Sequence, residues 1–201
     1  MAELCEICNT PASMTCAGCD NSRYCSKLCR KRAWKKHKLL CSIFKEFSDD
    51  KRPTPMHRRA IYFPVDDDKP RFIWLEFERR FDDDLEDDEP EDDGYDYPQK
   101  RNLLGPNTAV EYKPIKHNDV LDRPLRHTIS LMIREAGMID GSAPNRSTPN
   151  CVDGSPQWPF RWYGPILAIG EEGLSIDPNR SDDLDMTDFR HIVDRLSTWS
   201  F

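Results

Sequence analysis

The chain has no long apolar run. A membrane-crossing helix needs about 20 consecutive apolar residues, and nothing in these 201 residues approaches that. The start, Met1-Ala2-Glu3-Leu4, has neither the basic region nor the apolar stretch of a secretory leader. No Gly-x-Ser-x-Gly elbow, phosphate-binding loop or dinucleotide-binding glycine motif occurs. No internal repeat is visible. His57, His117, His127 and His191 are scattered and read as surface or hydrogen-bonded residues. Cysteine is almost absent beyond residue 41; Cys151 alone remains and reads as a small core residue. These gaps set three expectations: no enzymatic activity, no membrane partner, and an intracellular chain, nuclear or cytoplasmic.

Cysteine is concentrated at the other end. Seven cysteines and His37 fall within the first 41 residues. Cys5/Cys8 and Cys16/Cys19 have the two-residue gap of a zinc knuckle. Cys25/Cys29 and His37/Cys41 are four apart, one helical turn. Four ligand pairs fill two closed tetrahedral sites of sulfur and imidazole nitrogen, so the cofactor implied is two Zn2+. A disulfide framework fits poorly, because the cysteines crowd one end and His37 completes the eighth position. Ser26 can cap a helix that starts at Lys27 and runs, free of Gly and Pro, to about Phe47. Spacing alone leaves sequential and interleaved pairing both open.

The pattern C-x2-C-x7-C-x2-C-x5-C-x3-C-x7-H-x3-C, with Arg23-Tyr24-Cys25-Ser26 and Trp34 three residues before His37, resembles the MYND-type zinc finger. The resemblance implies interleaved ligands: Cys5, Cys8, Cys25 and Cys29 for one zinc, Cys16, Cys19, His37 and Cys41 for the other. It also implies a protein-interaction module that takes short proline-rich peptides in a groove beside the second zinc. Trp34 matches the groove tryptophan. Ala17 and Arg30 stand where some peptide-binding members have serine and glutamine, so the hydrogen-bonding pattern would differ. A proline-rich ligand is extended beforehand and loses little entropy on binding.

A basic run surrounds Trp34: Arg23, Lys27, Arg30, Lys31, Arg32, Lys35, Lys36 and Lys38. It offers an alternative function, a nucleic-acid-associated regulator using the finger helix. The arithmetic weakens it. Residues 1–52 carry 11 basic and 6 acidic residues, a formal +5, which seven thiolates and two zinc ions reduce to about +2. The whole chain is at −7. Neutralising many phosphates needs more, so nucleic acid is not the partner expected. A remoter alternative is a protein-lysine methyltransferase, because some SET-domain enzymes carry a MYND finger. The Asn-His-Ser-Cys motif of those enzymes is missing, and only four residues precede Cys5.

The expected fold class is α+β: a finger over 1–46 built of loop knuckles plus helix, a polar linker over 47–56, and a small α+β domain over 57–201. A chelator should then unfold the finger alone. Ile61–Val65 and Arg71–Phe77 read as a β-hairpin. Residues 82–93 hold ten acidic side chains, and a disordered acidic loop is expected at about 82–100; it could screen the basic finger helix. Leu125, Ile129, Met132 and Ile133 lie at helical spacing, which predicts a helix over Pro124–Ala136. Phe160–Ile169 reads as one or two strands. Phe189, Ile192, Val193, Leu196 and Trp199 predict a C-terminal helix capped by Thr187. Asn102-Leu103-Leu104-Gly105 and Asp185-Met186-Thr187-Asp188-Phe189-Arg190 resemble stretches of fungal MYND-containing proteins, a likeness that brings no activity with it.

Overall fold

The structure, a computed structural model, describes residues 3–81, 94–106, 108–152, 162–174 and 179–198. A short hairpin, β1 (Met14–Thr15) and β2 (Arg23–Tyr24), leads into helix α1 (Lys27–Cys41). Ser26 caps α1 as expected: its hydroxyl accepts the Cys29 N–H at 3.2 Å. The helix ends earlier than expected. A separate 3-10 turn spans Phe44–Phe47.

The rest is built on one antiparallel sheet. Its strands are β3 (His57–Phe63), β4 (Arg71–Arg80), β5 (Tyr95–Pro98), β6 (Val110–Asn118), β7 (Arg123–Arg134), β8 (Ile166–Glu171) and β9 (Ser181–Asp182). The spatial order is β5-β4-β3-β8-β7-β6, with β9 paired to the end of β8. A short helix, α2 (Arg101–Leu104), precedes β6, and α3 (Met186–Thr198) closes the described chain. The expected α+β class and the hairpin at 61–77 are both present.

Both faces of the sheet are buried, and the two-residue period of the strands sorts side chains between them. Ile61 and Phe63, Ile129 and Leu131, and Ile166 and Ala168 point to one face. There they join Tyr24 and Leu40 of the finger and Phe189, Ile192 and Val193 of α3 in a single cluster. Ala60, Tyr62, Leu75, Phe77, Met132, Leu167 and Ile169 point to the other face, where Leu104 of α2 covers them. Each fully buried Leu, Ile or Phe contributes roughly 1.5–3 kcal/mol. The finger therefore shares the larger core with α3 and the sheet.

That shared core changes the meaning of residues 47–56. Expected as a polar linker, they dock on the sheet instead. The Phe47 ring lies 5.8 Å from Phe72 and 5.7 Å from Trp74. Arg52 donates to both oxygens of Asp183, at 3.1 and 2.5 Å. Polar composition concealed this because the anchors are one aromatic ring at the start of the segment and a charge partner 131 residues away.

The helix expected over Pro124–Ala136 is strand β7. Leu125, Ile129, Met132 and Ile133 do lie at helical spacing, but Leu131 falls off that stripe. Leu125, Ile129, Leu131 and Ile133 are instead two or four apart, on one face of a strand, while Met132 packs on the other face. A central strand buried on both sides shows both periods at once, and the pattern misleads. Pro114, in β6, sits on an edge strand where no neighbour needs its missing N–H.

Other expectations shift in detail. Tyr95–Pro98, expected within the loop over 82–100, are instead strand β5, paired with β4 and secured by the Arg79–Asp96 ion pair at 3.1 Å. Residues 82–93 themselves, Phe160, Arg161 and Trp199 lie outside the described residues. The C-terminal helix is present, but Thr187 is not its cap. Asp185 accepts the N–H groups of Thr187 at 2.7 Å and Asp188 at 3.1 Å, while Asp188 reaches back to the Asp185 N–H at 2.8 Å. This is a reciprocal capping arrangement.

Candidate metal centre and adjoining groove

The finger hairpin explains how the ligands interleave. Its closed end, between Thr15 and Arg23, carries Cys16 and Cys19, and the Cys16 N–H donates to Ser22 O at 2.9 Å. Its open end returns to the first knuckle, where Cys25 follows β2. Helix α1 then runs from one centre to the other. Cys29 lies in its first turn, and His37 and Cys41 lie in its last turns. Eight residues at 1.5 Å each separate Cys29 from His37 by about 12 Å.

The structure accordingly gathers Cys5, Cys8, Cys25 and Cys29 in one group, and Cys16, Cys19, His37 and Cys41 in another. Within each, the ligand atoms lie within 4.8 Å of one another. Sequential pairing is excluded. The donor sets fit zinc. A tetrahedral ion with Zn–S bonds of about 2.3 Å sets sulfurs roughly 3.8 Å apart. Cys8–Cys25 and Cys25–Cys29 are each 3.6 Å apart, and Cys16–Cys41 is 3.7 Å. His37 Nε2 lies 3.3 Å from Cys16 Sγ and 3.9 Å from Cys19 Sγ. The two cofactors are Zn2+ in closed structural sites.

Neighbouring groups hold these ligands in place. His37 Nδ1 is 3.1 Å from the buried Ser22 hydroxyl, which fixes the ring so that Nε2 faces the metal group. Burial pulls the His37 pKa down to about 4, so the ring is neutral, as ligation requires. Gly18 stands where no side chain fits: a Cβ there would lie 2.8 Å from Cys41 Sγ. Arg123 of β7 donates to the Cys5 carbonyl at 3.2 Å, and Asn9 donates to Leu121 O at 2.6 Å. Asn21 accepts the first N–H of α3, from Met186, at 3.0 Å. The knuckle loops are thus bonded to the domain behind them.

Sequence reasoning did not single out Ser22, Gly18, Asn21 or Glu6. Glu6 is buried, and burial pushes its carboxyl up to about 7; Thr187 of α3 donates to it at 3.4 Å. None of the four carries a spacing signal. Their roles depend on what the folded knuckles place beside them.

Ala17, Arg30 and Trp34 come together. With Gly18, Lys27 and Lys31 they line a shallow groove of about 550 Å3 beside the second metal group. Trp34 is 52% exposed where it lines the groove. Its other side packs on His37, with ring centroids 6.0 Å apart. Lys27 and Lys31 were legible in one respect: Lys27, Arg30, Lys31 and Trp34 fall at i, i+3, i+4 and i+7, a single helix face.

The scattered histidines are bonded locally. His57 Nδ1 is 2.8 Å from Thr54 Oγ1, and His117 Nδ1 is 3.2 Å from Asp119. His127 Nδ1 is 2.7 Å from Asp182, and the Asn118 amide donates to His191 Nδ1 at 2.8 Å. Among the described residues no helix is long and apolar enough to cross a membrane.

Comparison with known proteins agrees with this geometry. The profile of the MYND finger family matches residues 5–41. The same region is 44% identical over 39 residues to Protein CBFA2T2 of Xenopus laevis, and equally to Protein CBFA2T2 of Mus musculus and of Homo sapiens. The alignment covers 19% of this chain and 7% of the Xenopus protein, so the chain spans a small part of these relatives. No solved structure matches the chain. Residues 5–41 are a MYND finger, a two-zinc module of a family that mediates protein–protein interaction.

Proposed function

We propose that this chain is an intracellular adaptor without catalytic activity, and that its finger reads short proline-rich segments of regulatory partners. One observation carries the reading: Ala17, Arg30 and Trp34 line a single groove beside the second zinc site. A half-exposed tryptophan on a rigid, metal-pinned helix is a suitable platform for an extended ligand. Proline rings pack on its face, and the indole N–H remains available to a peptide carbonyl. Both zinc sites use four protein ligands, which leaves the metals a structural role and places function on the surface. The local hydrogen bonding of the four scattered histidines supports a non-catalytic reading.

The test is an array of proline-rich peptides probed with the zinc-loaded full chain and with its Trp34→Ala form. Proline-rich sequences retained by the first and lost by the second are expected. Equal retention by both would remove Trp34 from the binding surface and overturn the reading.

A further inference from the structure

The groove is not electrically neutral. Lys27, Arg30 and Lys31 line it, and no carboxylate does. All three are exposed. Among the described residues, none of their charged groups makes an ion pair or a side-chain hydrogen bond. They are therefore open to an external anion, in a chain whose acidic residues outnumber its basic ones, 36 to 29. Several cations outside the groove are instead held by carboxylates: Arg52 with Asp183, Arg79 with Asp96, Arg126 with Asp188, Arg134 with Asp140.

Their position on the helix strengthens the point. At about 100° per residue, Lys27, Arg30, Lys31 and Trp34 share one face of α1, and Cys29 is on the opposite, buried side. The cations occupy the first half of the helix, and its first turn holds no acidic residue. The helix dipole is positive at this end, so local stability would favour Asp or Glu there. Three cations gathered against that preference, around an exposed ring, suit an anionic ligand.

We infer that the peptide taken by this groove is acidic: a proline-containing segment whose Asp or Glu side chains pair with Lys27, Arg30 and Lys31 while its prolines cover Trp34. The inference rests on the peptide-groove reading above and adds the chemistry of the partner. A protein ligand is favoured over nucleic acid because the groove offers one aromatic platform and three cations. Single-stranded nucleic acid is held by successive stacked bases along a basic track.

The test uses the zinc-loaded full chain and fluorescence anisotropy. Two labelled peptides of about twelve residues share prolines at every third position; one carries three Glu where the other carries three Gln. A single-stranded oligonucleotide of similar length is the third probe. The Glu peptide should bind about tenfold tighter than the Gln peptide at about 50 mM salt, the yield of three exposed ion pairs. The difference should collapse at about 500 mM salt and in the K27Q/R30Q/K31Q variant, whose two zinc ions, counted separately, confirm that it folds. Equal affinity for the two peptides would overturn the charge inference and leave the groove reading intact. Failure of both to bind would overturn the groove reading itself, and this inference with it. Tighter binding of the oligonucleotide would overturn it in favour of a nucleic-acid ligand.

Discussion

Trp34 packs its ring on His37, a ligand of the second zinc group, with centroids 6.0 Å apart and planes tilted by 38°. The groove wall and the metal centre therefore share a side-chain contact, but not an equal dependence on it. His37 is also fixed by Ser22 and by its own metal group. The half-exposed indole contributes only one side of that packing. Trp34→Ala should leave two zinc ions bound per chain and weaken groove ligands by about tenfold or more, the usual cost of truncating a central aromatic anchor. Zinc released on denaturation and titrated with a coloured chelator measures the first quantity, and anisotropy the second. Loss of a zinc ion in the variant would mean that the indole supports the centre.

Gly18 tests the second centre directly. A Cβ at this position would meet Cys41 Sγ at 2.8 Å, well inside contact distance, and the neighbouring Cys16 Sγ at 3.6 Å. A thiolate held by a metal cannot swing away as a free side chain could. Gly18→Ala should therefore displace Cys41 and weaken the second site by roughly 10–100-fold, the range seen when the surroundings of metal ligands are disturbed. The first site lies at the other end of α1 and should keep its zinc. A chelator titration should change from two tight steps to one tight and one weak step; two unchanged steps would show that the knuckle relaxes freely.

Zinc removal should be felt far from the finger. A finger tethered by a linker would melt alone on chelation. Here Tyr24 and Leu40 sit in one cluster with Ile61, Phe63 and Phe189, and Asn21 holds the start of α3. Cys151, fully buried in the same cluster, reports on the opening of the shared core. Alkylation of Cys151, read by peptide mass spectrometry, should be slow in the zinc-loaded chain and rise at least tenfold after chelation. Continued protection of Cys151 would establish the sheet and α3 as independently stable.

Legibility in the sequence followed the range of the interactions. The zinc ligands were readable because metal chemistry imposes short, fixed spacings. The Ser26 cap and the amphipathic stripe of α3 were readable because both are local. β7 was misread because a strand buried on two faces presents apolar residues on a helical stripe as well as at every second position. The anchoring of residues 47–56 depends on Asp183, and that of α3 on Asn21; pairings over 131 and 165 residues leave no periodic trace. The groove was legible in its three predicted residues, Ala17, Arg30 and Trp34. The missing carboxylates around it became visible only once the neighbours were in place.

A last relationship makes stability depend on pH. His127 is buried in β7 with Nδ1 2.7 Å from Asp182 and Nε2 3.2 Å from the buried Asp188. Arg126 pairs with Asp188 and Asp185 beside it. Burial on its own would lower the His127 pKa, but the hydrogen bond to Asp182 and the nearby Asp188 carboxylate outweigh it and hold the ring up at about 9 against an ordinary 6.5. A base whose pKa is raised in the fold adds stability that is complete below pH 6.5 and is lost as pH rises through about 9. The carboxyls of Asp182 and Asp188 are held below their ordinary value by the same pairing, so they keep their charge throughout that window. His127→Gln removes the titrating cation and leaves Arg126 as the cation paired with the buried Asp188. The two zinc-loaded chains, compared by urea midpoint, should differ most near pH 6.5, by on the order of 2 kcal/mol, and the difference should shrink toward pH 9. Changes in thiolate protonation affect both chains alike and cancel in that comparison. A difference that stays constant across the window would show that His127 is neutral and held by hydrogen bonding alone.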